Sequence, residues 1–200
     1  MRRHRGTYAL DSLQAVVAAY IADYRGRARE EQQFFAGQRT LPDAVRLAGL
    51  AEGPKGKRFS HQRRIPRAVL NRASALLLDR HWAINAASTF EDLHDAVAET
   101  IGDVEGIGEL TVYDTALRVA AKRGLEPRRV YLHAGTRAGA RALGFTDGAD
   151  WILPNDLPRA FRRLRPMEIE DCLCIYKAEL RRLADGNALG VRERSRRVRC

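Results

Sequence analysis

The stretch VEGIGELTVYDTALRVAAKRG, residues 104–124, decides how this chain is read. Gly106 and Gly108 flank Ile107, and the chain then runs to Gly124 with no further glycine and no proline. A helix is expected to end near Val104, to turn tightly through Gly106-Ile107-Gly108, and to restart near Glu109. Glycine allows the sharp turn and a close backbone approach to a partner. The restarting helix turns its unpaired first N–H groups toward solvent, where a phosphate can sit. Ile107 is expected to anchor the turn in the core. A hairpin of this kind contacts backbone, not bases, so it positions a duplex without reading its sequence.

Working outward, helical periodicity continues on both sides. Thr89 reads as an N-cap for a helix bearing Phe90, Leu93, Val97 and Ile101. Arg67–Arg80 carries Val69, Leu70, Ala73, Leu76 and Leu77 on one face, and a short helix is expected from Pro42 to Gly49. Leu10, Leu13, Val16, Val17, Tyr20, Ile21 and Tyr24 recur at helical spacing near the start, with Asp11 and Gln14 placed as a capping box. That pattern marks an amphipathic core helix over about 11–25, not a leader or a membrane span. Downstream, a helix is expected over about 134–143. Pro154, Pro158 and Pro166 read as helix starts. The last helix, Pro166–Leu183, opens with Glu168, Glu170 and Asp171 and closes with Arg181 and Arg182, which suits its dipole. The expected architecture is all-α: one helical domain over residues 1–190, then a basic tail over 191–200.

The charge points to a partner. Thirty-five Lys and Arg stand against 25 Asp and Glu, a formal net charge of +10 in 200 residues. Arginine predominates, and its planar fork grips phosphate oxygens in pairs. A polyanion is implied, DNA first and RNA next, ahead of an anionic membrane surface. A basic enzyme with a merely solvated surface also fits the charge. The three cysteines, Cys172, Cys174 and Cys200, lack the spacing of a zinc or iron–sulfur site, so neither metal nor cofactor is expected. Their number suits a cytoplasmic protein.

Lys55–Arg67 is a Gly/Pro-flanked loop rich in cations, with Phe59 and His61 interleaved. Basic groups with an aromatic among them suit backbone binding plus stacking. Lys55, Lys57, Arg58, His61, Gln62, Arg63 and Arg64 are therefore candidate nucleic-acid contacts, together with Gly106, Ile107 and Gly108. Thr136 and Arg137, near a helix N-terminus, join them as phosphate ligands. Gly135 and Gly139 suit close approach of another helix or of nucleic acid. The densest polar set is Tyr113, Asp114, Tyr131, His133 and Arg137. From it Tyr113, Asp114 and His133 are the candidate catalytic groups, with Asp114 equally placed to pair with Arg118 four residues on.

The segment V-E-G-I-G-E-L-T-V resembles the hairpin of the helix-hairpin-helix DNA glycosylase superfamily, which reads leucine-proline-glycine-valine-glycine, two residues, then threonine-alanine. The resemblance continues through VYLHAGTRAGARALG to about Gly144. It sets Arg137 on the family's arginine, His133 on its catalytic aspartate, and His61-Gln62 in the loop that enters DNA. It also sets Leu110 where the bifunctional members carry a lysine. The resemblance thus implies a glycosylase-like helical fold without that fold's usual lysine and carboxylate.

Three functions follow as expectations. The first is sequence-tolerant DNA binding through the hairpin and the basic loop. The second is a divergent base-excising enzyme with a non-standard site. The third is a non-catalytic subunit of a nucleoprotein assembly.

Overall fold

Threonine hydroxyls start two of the helices, as their spacing to an acidic residue requires. The computed structural model describes residues 10–146 and 148–186. These are mostly helical, with one pair of two-residue strands, so the fold is all-α. Where the sequence reads as one domain over 1–190, the contacts of the described residues group into two compact units: residues 26–128, and residues 10–25 with those from 129 to 186. The tail expected over 191–200 lies outside the described residues, as does Cys200. Among the described residues no helix is long and apolar enough to cross a membrane.

The unit over 26–128 holds α2 (Arg25–Ala36), whose first residue lies at the boundary, and α3 (Leu41–Gly49), α4 (Arg67–Asp79), α5 (His81–Ala86), α6 (Phe90–Ile101) and α7 (Glu109–Arg123). Thr40 accepts from the Asp43 N–H at the head of α3, where Pro42 also sits in the first turn. Thr89 and Asp92 form a reciprocal capping box at the head of α6. Gly124, at φ +68°, ends α7. Helix α3 packs against both α4 and α7, and α6 packs against α7. The apolar faces expected of α4 and α6 are the buried ones: Leu70, Ala73 and Leu77 on α4, and Phe90, Leu93, Val97 and Ile101 on α6. Gly49 lets α3 meet α4 closely, because a Cβ there would lie 2.7 Å from the Ser74 Cα. Short α5 is held at its C-terminal end by Arg123, which donates to the carbonyls of Ile84, Asn85 and Ala87.

The other unit contains α1 (Leu13–Asp23), β1 (Val130–Tyr131), α8 (Ala134–Ala142), β2 (Trp151–Ile152), α9 (Pro166–Ile175) and α10 (Lys177–Asp185). Its core runs through Val16, Val17 and Tyr20 of α1, Ile169 and Leu173 of α9, and Leu180 and Leu183 of α10. Strands β1 and β2 pair antiparallel, Val130 with Ile152. Helix α1 is capped by Ser12, which accepts from the Ala15 N–H at 3.2 Å, so the cap falls one residue after the expected Asp11. Pro154 opens a 3-10 turn, and Pro158 caps another over Arg159–Arg163. The expected helix Pro166–Leu183 is two helices, divided at Tyr176 (φ −98°, ψ 19°).

Candidate nucleic-acid interface

The hairpin forms as its glycines require. Gly102 closes α6 onto the Ala98 carbonyl at 2.7 Å, and the Ile107 N–H reaches the Val104 carbonyl at 2.9 Å. Gly106 takes φ +90°, a conformation that disfavours any side chain. Ile107 points inward, while Gly106, Gly108 and Glu109 lie on the surface. Gly108 caps α7 in extended backbone, and no side chain supplies a cap hydrogen bond. A Cβ at Gly108 would meet nothing within 4 Å, so the approach to the helix N-terminus is open. The positive end of the α7 dipole faces that opening.

The basic loop lies against the same structure. A Cβ on Gly106 would be 3.6 Å from Val69, in the first turn of α4, just after the loop's last residues. The loop is folded on itself. Glu52 and Arg58 form a β-bridge, the Phe59 N–H reaches the Ala51 carbonyl at 3.0 Å, and Arg58 donates to the Ile65 carbonyl at 2.8 Å. Lys55, Lys57, His61, Arg63 and Arg64 are exposed along it.

What fastens the loop to α7 is a polar cluster. Gln62 is 1% exposed, and its side-chain amide donates to the Asp114 carboxylate. Arg118, also buried, donates to Glu31 at 2.8 Å and to the Gln62 carbonyl oxygen at 3.4 Å, and lies 3.7 Å from Asp114. Its guanidinium covers the Phe59 ring at 4.0 Å. His61 Nδ1 stands 3.8 Å from the same Asp114 oxygen, with its ring largely in solvent. Burial works to raise the Asp114 pKa, but the nearby His61 ring, the charge of Arg118 and the hydrogen bond from Gln62 outweigh it. The carboxyl is held below its ordinary value and stays ionised.

Several expected contacts face the other way. Gln62, read as a DNA contact, is an internal strut, because its amide satisfies two buried charged groups. Tyr113, read as catalytic, is in the core against Phe90, ring centres 6.0 Å apart. Arg58 is half-buried and tied to the loop backbone. Phe59, read as a stacking base partner, stacks instead on Arg118.

His133, Thr136 and Arg137 belong to the other unit. His133 caps α8 and is buried with its Nε2 on Glu170, and Thr136, fully buried, donates to the same Glu170 oxygen at 2.9 Å. Thr136 therefore offers nothing to a phosphate, and the imidazole is enclosed. Arg137 donates to the Ala149 carbonyl and pairs with Asp150 at 3.3 Å. Gly135 and Gly139 do admit a close neighbour, and it is helix α9. A Cβ on Gly139 would fall 2.3 Å from the Leu173 carbonyl oxygen, and one on Gly135 2.4 Å from the Cys174 sulfur. Of the cysteines, Cys172 is buried, and burial raises its thiol pKa.

Sequence reasoning missed Glu170 and Glu31. Each meets its partner across 37 and 87 positions of chain, which no local spacing reveals. Comparison with protein-family models, with curated proteins and with solved structures finds no match to this chain.

Proposed function

We propose that this protein binds the backbone of duplex DNA, largely without regard to sequence, through the Gly106–Gly108 turn and the exposed cations of the 55–64 loop. One observation carries the reading: the buried Gln62–Asp114–Arg118 cluster fixes a cation-rich loop onto the helix whose N-terminus opens at Gly108. A cation-rich loop held on a helix whose N-terminus has no side-chain cap suits phosphates and offers little that distinguishes one base from another. The likeness of the hairpin to that of DNA glycosylases agrees with this use. Binding, not base excision, is favoured, because Tyr113 and His133 are both enclosed.

The test is a salt titration of binding to labelled duplexes of unrelated sequence. Affinities should agree between sequences and fall steeply with salt, by a logarithmic slope of about 0.9 per phosphate neutralised. The triple variant K57Q/R63Q/R64Q should flatten that slope by about 2 to 3 while melting at the wild-type temperature. Absence of salt-dependent binding by the wild type would overturn the proposal.

A further inference from the structure

Among the described residues three large apolar side chains are exposed: Trp82, Trp151 and Leu153. Two of them belong together. Trp151 lies in β2, Ile152 after it is buried, and Leu153 continues the extended backbone at φ −82°, ψ 141°. Alternate residues of an extended chain share a face, so Trp151 and Leu153 stand on the outer side, 40% and 45% exposed. Tyr131, the register partner of Trp151, shares that face and is half-buried. The platform beneath is fixed. Val130 and Ile152 are in the core, α9 packs on β1, and the Leu132 N–H reaches the Asp150 carbonyl at 2.8 Å. The Arg129 guanidinium lies over the Trp151 ring, 4.1 Å from its centre. One face of the indole is thus taken, and its exposure belongs to the remainder.

We infer that Trp151 is a stacking site for an unpaired base of a single-stranded nucleic acid, with Arg129 beside it for the adjoining phosphate. The cation–π contact holds Arg129 in place, and its side chain makes no hydrogen bond or ion pair among the described residues. Its donors are therefore open to a phosphate, which the planar fork meets in pairs. Asp150, next to Trp151 in the chain, is paired with Arg137 at 3.3 Å and not with Arg129. The net charge of +10 favours the same class of partner. Every base has a π-face, so an exposed indole accepts any of them. In a duplex those faces are stacked on one another and closed to it. A protein partner fits less well. Two exposed side chains fall far short of the roughly 800 Å² per partner of a stable protein interface, and a two-residue strand is too short an edge for a peptide to extend. The inference is carried by the unit without the hairpin and does not rest on the hairpin's reading.

The chain has two tryptophans, so Trp82→Phe leaves Trp151 as its one indole reporter. Titrating that full-length protein with a thymidine strand of about 12 nucleotides, within the span of a single-strand site, should quench its fluorescence. A blunt duplex should not. In the chain with both tryptophans, Trp151→Ala should weaken strand binding about fivefold or more and leave duplex binding within about twofold. Trp151→Phe should keep most of the affinity, and R129Q should flatten the logarithmic salt slope on the strand by about 0.7. Both side chains are at least partly exposed, so unchanged melting temperatures serve as the folding control. If Trp151→Ala weakens strand and duplex alike, or neither, the inference falls. Equal quenching by thymidine monophosphate at the same nucleotide concentration would also overturn it, since the site would then hold a free nucleotide. So would quenching by polyglutamate but not by the strand, which would mark a surface for an acidic polypeptide. If the duplex binds with a slope that K57Q/R63Q/R64Q flattens while the strand leaves Trp151 unquenched, this inference falls and the hairpin reading stands. If the strand quenches Trp151 and Trp151→Ala loses that binding, while duplex binding is absent, the hairpin reading falls and this one stands.

Discussion

Gln62 and Asp114 lie 52 positions apart in sequence, and the buried amide of the first donates to the ionised carboxylate of the second. The contact turns a solvent-facing stretch of cations into a fixed surface. Gln62→Ala removes that donor and also the acceptor of one Arg118 N–H. We expect a loss of about 2 kcal/mol, the scale of hydrogen bonds to charged groups. Gln62→Glu should cost more at neutral pH, because a second carboxylate then faces Asp114, and should recover part of that loss as the pH falls. Urea unfolding of the three proteins at two pH values checks the order.

Acid should destabilise the unit over 26–128 in two windows. His94 has its pKa lowered, chiefly by burial, so the neutral ring is preferred in the folded state. Its contribution is whole above the unfolded histidine value, about 6.5, and is lost as the pH falls through the lower folded value. Asp114 is also depressed. Its contribution is whole above about pH 4, the unfolded carboxylate range, and disappears as the pH falls through the folded pKa. The stability difference between wild type and Asp114→Asn should therefore shrink below about pH 4. A difference that grew on acidification would contradict the network as described.

His133 is a structural group on this account. His133→Ala leaves the Glu170 carboxylate buried without its main partner and should cost about 3 kcal/mol, as breaking a buried pair does. The folded fraction should bind DNA as the wild type does. A thermal melt paired with a binding curve separates the two effects, and an unchanged melting temperature would count against the buried pair.

The two glycines of α8 should respond differently to an added methyl. At Gly139 the obstacle is the Leu173 backbone carbonyl, which can move only with α9, so Gly139→Ala should cost about 3 kcal/mol. At Gly135 it is the Cys174 sulfur, a side-chain atom that can rotate away, so Gly135→Ala should cost less. Equal costs would mean that α8 and α9 separate as a whole.

How far the sequence could be read follows from the range of the interactions involved. Thr89 announced its helix because a cap acts over three residues, and the glycine pair around Ile107 announced its turn for the same local reason. The Asp114–Arg118 pair was legible at one helical turn. Helix α2 was harder, since RGRAREEQQFFA buries only Phe35 and carries no apolar stripe to read. The break at Tyr176 falls inside a run with no proline or glycine to mark it. The inward turn of Gln62 and the Glu170 that encloses His133 depend on chain segments far apart in sequence. A polar residue in a basic loop reads as solvent-facing until its distant partner is known.

The most direct test of the account is Gly108→Asp, measured at once for stability and for duplex binding. Gly108 has the extended backbone of an N-cap and open space around its Cβ. Aspartate is a better cap than glycine by a few tenths of a kcal/mol, so the melting temperature should hold or rise. The same carboxylate would take up the N–H groups offered to a phosphate and repel the phosphate itself. Binding should fall about tenfold or more, the equivalent of a charge-assisted contact worth about 1.5 kcal/mol or above. A Gly108→Asp protein that is equally stable and binds duplex DNA with wild-type affinity and salt dependence would contradict the hairpin as the point of contact.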